Sequence, residues 1–427
     1  MKMPEKLLHF IWRYKLFNQS ALTTKEGFKL EIIAFGLYNH DAGPDFEFAQ
    51  IRLDDTVWSG HVEMHVNEDE WYQHGHHLDP HYDSTIIHVV WNRGEAVARR
   101  TDGTSIPTLI LERYVDEKLL EKYSNLMDNL LWIPCEKQLQ TVPSFVVHPW
   151  LDRVVVERLE EKIRHLQVLA DVTQQDWEKV FMVSLARAFG MKVNATPFED
   201  WMLRLDLNLL RKYKDDPLKI ESLCFGLAGF LNSEPIEEYP NLLLKEYAYL
   251  SKIHQLKSMS SSEWKFMRMR PYNFPAYRMA QIIALLQNST HWFERLRKAE
   301  QLASIFEEIS VCLPHIYWQT HFRFGKETQS RSIAWTAPFL YHLAINAIIP
   351  ILYKYGMDTD QETLKDKALR WLSEIPAERN SIIKKFASYG IQAAHASDSQ
   401  ALLFLHKNYC TNKRCLECAI GLNILKN

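Results

Sequence analysis

The hydrophobic period of this chain changes once, near residue 110, and that change limits the folds open to it. Before it, apolar residues alternate or run in short blocks: FKLEIIAFG (28–36), FEFAQIRL within 45–53, VWSGHVEMHV (57–66) and STIIHVVW (84–91). A period of two puts alternate side chains on opposite faces of a strand, and the continuous apolar block reads as a buried strand. Residues 5–17 carry Leu7, Leu8, Ile11 and Trp12 at helical spacing, and DEWYQHGHH (69–77) reads as a helix or helical turn. The expected order is α-β-β-β-α-β. From about 115 onward the period is helical: 115–131, 151–169, 176–190, a capping-box start at Thr196-Pro197-Phe198-Glu199, then 217–231, 240–258, 276–289, 336–355, 361–373, 378–389 and 398–408.

At 427 residues the chain exceeds one ordinary core. The expected class is α+β, with an α/β domain at 1–110, a helical domain at 111–395 and a cysteine-rich end at 396–427. An apolar fraction of 47% with 24% charged residues excludes a disordered chain. A formal net charge of −3 excludes a global field that draws the molecule onto nucleic acid or lipid, so such a partner must be met by a local patch. The N-terminal run is interrupted by Glu5, His9 and Arg13, which argues against a secretory signal. FLYHLAINAIIPILY (339–353) carries His342, Asn346 and Pro350 and reads as a buried, kinked helix, not a membrane span. With six cysteines, three in the last eighteen positions, a reducing cytoplasm and a C-terminal metal site are expected.

Alternation in 61–66 places Val62, Met64 and Val66 on one face and His61, Glu63 and His65 on the other. If 45–53 and 57–66 pair as a hairpin, Asp45 lies near Glu63. Two carboxylates converging from neighbouring strands suit Mg²⁺ or Mn²⁺. Such an ion polarises a phosphoryl oxygen, and His65 is placed to orient or deprotonate a water. Pro44-Asp45 followed by Glu63-Met64-His65 resembles the PD-(D/E)XK nuclease signature, with histidine in place of lysine. The resemblance implies a restriction-endonuclease-like core, Asp45 and Glu63 as metal ligands aided by the Met64 carbonyl, and Glu5 as the acidic residue of the first helix. Histidine lacks the permanent charge of lysine, and that departure bears on activity. Nearly the whole chain is similar to a bacterial domain-of-unknown-function family, through GPDF (43–46), VEMH (62–65), HGH (74–76), ARAFG (186–190), NFP (273–275) and YCTNKRCLEC (409–418).

Around the strands, His61, His74, His76, Asp79 and Tyr82 are candidates for supporting the site or contacting substrate, with a histidine-rich loop of no role as the plain reading. His88 reads as a core histidine. At the C-terminus, His406, Cys410, Cys415 and Cys418 have the spacing of a thiolate site. The fourth ligand stays open between His406, for zinc, and one of Cys135, Cys224 or Cys312, for zinc or an iron–sulfur cluster. Residues 252–300 concentrate cations, among them Lys265, Arg268, Arg270 and Arg278, interleaved with Trp264, Phe266, Tyr272, Phe274 and Tyr277. That tract is the expected nucleic-acid face, with a solvated surface over core aromatics as its alternative.

The functional expectation is metal-dependent hydrolysis of phosphodiester bonds in DNA, or in RNA. One rival is a non-catalytic nucleic-acid-binding or scaffold protein on a decayed nuclease fold. The other is a metal-dependent hydrolase of a small molecule.

Overall fold

The computed structural model describes residues 3–231 and 237–427. It forms two compact units, Met1–Trp150 together with Leu405–Asn427, and Leu151–Phe404. The change of period near 110 therefore marks the end of the sheet and not of its unit. Helix α3 (Glu117–Met127) and the closing segment 405–427 both belong with the strands, and the last helix, Ala419–Lys426, packs on α3.

In the first unit, α1 (Glu5–Arg13) buries Leu7, Leu8, Phe10, Ile11 and Trp12 and lies against the sheet at β5. The strands are β1 (Leu22–Thr23), β2 (Lys29–Ala34), β3 (Leu37–Tyr38), β4 (Phe46–Leu53), β5 (Thr56–Asn67), β6 (Thr85–Asn92) and β7 (Thr108–Ile110). Their order is β1-β2-β4-β5-β6-β7, with β3 beside β4. Pairing is antiparallel up to β5, whereas β5, β6 and β7 run parallel. The expected element order is present, enlarged by three short strands too brief to leave a period.

Between β5 and β6 the expected helix shrinks to α2 (Glu70–Gln73) and two 3-10 turns, His76–Leu78 and Pro80–Tyr82. Gly75 sits at φ +77° and Pro80 has no N–H, so no helix continues through them. β5 is exposed over its first residues and buried on both faces over Val62–His65. Glu63 and His65 are thus as enclosed as Val62 and Met64, and the polar face of the strand forms an interior polar cluster. Gly60 makes the crossing to β6 close: a Cβ there would stand 2.3 Å from the Ser84 carbonyl oxygen and 2.5 Å from Ile86 Cγ2.

The second unit is helical. Trp177–Phe189 and Pro275–Asn288 are buried on nearly every side, as helices at a core must be. Thr196 lies inside the helix Ala195–Arg204, where no side-chain cap forms at Asn194, so the expected capping box is absent. Glu199 turns instead to His165 Nε2 (2.8 Å) and Arg187 (2.9 Å). The run 339–353 is buried and interrupted, with a π-turn at Ala344–Ile348 ahead of Pro350. Among the described residues no helix is long and apolar enough to cross a membrane.

Candidate acid–histidine site

The strand pair brings Asp45 and Glu63 together through their backbones. Asp45 stands just ahead of β4 and Glu63 near the far end of β5, where Phe46 pairs with Val62. The Asp45 N–H donates to Glu63 Oε2 (3.1 Å), and the Met64 N–H donates to Asp45 Oδ2 (2.9 Å). Each carboxylate is thereby fixed by the backbone next to its partner. Glu63 is 5% exposed, whereas the Asp45 side chain keeps 21% of its surface. Burial raises the Glu63 carboxyl above its ordinary range, and the Asp45 charge raises it further. Among the described residues no lysine or arginine pairs with either acid.

Imidazoles surround them instead. His9, on α1, places Nε2 3.2 Å from Asp45 Oδ2 and 3.8 Å from Glu5 Oε1. His76 places Nε2 3.2 Å from Glu63 Oε1. Both nitrogens are buried and make no hydrogen bond, because the contacts are close without being aligned. Burial lowers the affinity of His9 for a proton, but Asp45, Glu5 and Glu63 outweigh it and leave the ring above its usual value. His76 goes the other way: burial dominates over the Asp45 and Asp79 charges. Tyr82 stacks on His76 at 3.8 Å, and burial followed by the Glu63 and Asp45 charges pushes its hydroxyl up to about 12.

His65, expected to handle the water, faces other imidazoles. Its Nδ1 lies 2.8 Å from His88 Nε2 and its Nε2 lies 3.1 Å from His74 Nδ1, so both ring nitrogens are engaged. Burial, then the neighbouring His88, His76 and His74, hold it neutral with a pKa pushed down to about 2. His65, His74 and His76 each offer a donor atom, all within 4.8 Å of one another. His61 and Asp79 stand apart from this cluster. His61 lies where β5 is still half-exposed, and its Nδ1 accepts the Phe48 N–H (3.3 Å). Asp79 caps the turn Pro80–Tyr82 through the His81 N–H (3.0 Å).

Glu5 is half-exposed, one helical turn from His9. Beside His9 opens a cavity of about 240 Å³ that includes Lys6, Arg13, Tyr38 and His40 in its lining. His9 escaped the sequence reading because it sits on the apolar face of α1. The signal that marks it is the Glu5-x3-His9 spacing, which puts both side chains on one helical face.

Within the helical unit, Lys265, Arg268 and Arg270 are exposed, as a phosphate-binding role requires. Arg278 is not: it is 7% exposed, lies 3.3 Å over the Phe339 ring and donates to Gln281 Oε1 and Asn273 Oδ1. Trp264 and Tyr277 are buried as well, so they are core and not stacking platforms. At the C-terminus, the His406 ring stacks on Trp132 at 4.9 Å.

Fold and site together define a mixed α+β protein with a buried acid–histidine centre in its sheet-bearing unit and a second, mostly helical unit. The chain belongs to the family described as "Protein of unknown function (DUF2851)", whose model matches residues 5–381. No curated protein and no solved structure matches it.

Proposed function

We propose that the chain is a metal-dependent phosphodiester hydrolase acting on nucleic acid, with its centre at Asp45 and Glu63. The observation that carries this reading is the meeting of two backbone-anchored carboxylates with two unbonded, buried imidazole nitrogens, His9 Nε2 and His76 Nε2. Two acids this close, one of them buried, with no lysine or arginine beside them, are costly as a pair of anions unless a cation joins them. The donor set fits Mn²⁺ or Mg²⁺ on the oxygens, and the imidazoles favour Mn²⁺. When bound, such an ion supplies Lewis-acid polarisation of a phosphoryl oxygen. Asp45, Glu63, His9 and His76 would hold it, and Glu5, 3.8 Å from His9, orients that ring. Lys6 and Arg13 line the adjoining cavity and would receive phosphate oxygens. Exposed Lys265, Arg268 and Arg270 support a nucleic-acid partner.

His65 in place of a lysine, with both nitrogens engaged, favours a second reading in which the fold binds nucleic acid without cutting it. Cleavage of mixed DNA and RNA substrates with Mn²⁺ or Mg²⁺ separates the two. Wild type is expected to cleave, and Asp45→Ala and Glu63→Ala to fall by roughly 10³-fold, the equivalent of several kcal/mol of lost charge stabilisation. Cleavage retained by both variants rejects the site, and binding without cleavage selects the second reading.

A further inference from the structure

Strand β5 and the turn that follows it bring three imidazoles to one space. His65 lies on β5, His74 closes the C-terminal end of α2, and His76 opens the 3-10 turn His76–Leu78. Between the last two, Gly75 takes φ +77°, a left-handed backbone that reverses the chain within one residue. The flanking rings thereby meet His65, and each of the three brings one nitrogen to within 4.8 Å of the other two.

The separations are those of ligands around one ion. His65 Nε2 lies 3.1 Å from His74 Nδ1. A tetrahedral ion with bonds to nitrogen of about 2.0–2.1 Å holds its donors about 3.3–3.4 Å apart. His76 supplies the third nitrogen. Its ring is 8% exposed, and its Nε2 is buried and makes no hydrogen bond. Glu63 Oε1 lies 3.6 Å from His65 Nε2 and 3.2 Å from His76 Nε2, so both nitrogens face the same carboxylate oxygen.

The rings are also held from behind. His65 Nδ1 lies 2.8 Å from Nε2 of His88, a wholly buried residue of β6. A histidine that ligates through Nε2 keeps its proton on Nδ1, and that proton then has His88 Nε2 as its acceptor. Tyr82 stacks on His76 at 3.8 Å, and Trp71 stands edge-on to both His65 and His76. His74 is exposed, which gives an ion a way in from solvent.

The donors select the kind of ion. Mg²⁺ takes oxygen ligands, whereas three imidazoles suit zinc, which binds three histidines with its fourth position open to water. Neutral imidazoles cancel none of the charge of such an ion. Glu63 offsets it, with Oε1 beside two of the three donors while Oε2 accepts the Asp45 N–H (3.1 Å).

We propose that His65, His74 and His76 bind Zn²⁺ at a site separate from the ion at Asp45 and Glu63. The zinc site does not rest on the hydrolase reading and stands even if the chain cleaves nothing. His76 borders both sets of donors; with zinc bound it belongs to the imidazoles, and Asp45, Glu63 and His9 serve the other ion. The test is the zinc content of the full chain after stripping with chelator, reloading with Zn²⁺ and desalting. The C-terminal cysteines can hold zinc of their own, so the readout is the difference between proteins. His74→Ala, at an exposed position, is expected to hold one zinc fewer than wild type, and Asp45→Ala as much as wild type. Equal zinc in His74→Ala and wild type overturns the site. Zinc lost from Asp45→Ala but kept by His74→Ala overturns it too, and leaves the carboxylate centre standing. Because His74→Ala can also disturb the turn, anomalous diffraction at the zinc edge from wild-type crystals locates the ion without any substitution. A peak among the three rings is expected, and zinc found at the cysteines alone overturns the proposal.

Discussion

Glu63 carries an electrostatic penalty, because its carboxylate is enclosed, close to a second acid and within reach of imidazoles alone. Glutamine at this position still accepts the Asp45 N–H but removes the charge. Glu63→Gln is therefore expected to be at least as stable as wild type in chelator. Addition of Mn²⁺ should raise the unfolding temperature of wild type and leave the variant unmoved. A ligand at about 100 times its dissociation constant adds about 2.7 kcal/mol to a native state that alone binds it. Equal Mn²⁺ stabilisation of both proteins, measured by differential scanning fluorimetry, would place the ion elsewhere.

At the scale of elements, Glu199 joins three helices: its own, Ala195–Arg204, that of His165 (Ser144–Val172) and that of Arg187 (Trp177–Phe189). Burial opposes its ionisation, but the His165 and Arg187 contacts prevail and hold the carboxyl below its ordinary value. A depressed folded pKa stabilises above the unfolded value, and the gain is lost as pH falls through the folded one. Glu199→Gln should therefore cost about 1 kcal/mol at pH 7, the partners being partly exposed. The gap to wild type should close as the medium is acidified below the ordinary glutamate range, read by urea denaturation across pH. The basic tract divides by the same reasoning. Arg278→Ala removes a buried stacked cation and should cost about 2–4 kcal/mol without changing nucleic-acid affinity in the folded protein. Replacing Lys265, Arg268 and Arg270 with alanine should leave stability alone and reduce the salt dependence of DNA binding by about 2.7 in slope.

The elements themselves were largely legible, because strand and helix periods leave their mark within a few residues. Asp45 and Glu63 were found by such a pattern. His9 was not, since its place beside Asp45 depends on where α1 comes to rest, and His76 was named only as a supporting residue, since its contact with Glu63 depends on a broken helix. Arg278 misled because a cation among aromatics has the same composition whether it faces phosphate or stacks on Phe339.

At the scale of the molecule, the closing segment contributes Leu405, Tyr409, Cys415, Ile420 and Leu425 to the interior of the sheet-bearing unit. Apolar burial is worth about 1.5–3 kcal/mol per side chain, and a domain is stable by only about 5–15 kcal/mol. A chain ending at Phe404 is expected to lose the fixed tertiary packing of the sheet-bearing unit, visible as a loss of near-ultraviolet dichroism from the α1 and β-strand tryptophans. A truncated protein with an unchanged spectrum would show the segment to be dispensable.

The same arrangement sets an order of events on the ribosome. Residues 151–404 emerge as one continuous stretch of their own unit, whereas residues 1–150 emerge ahead of them and lack residues 405–427 until those are made. A stretch made earlier is thus completed later, and it waits with an open flank while the intervening helical unit is synthesised.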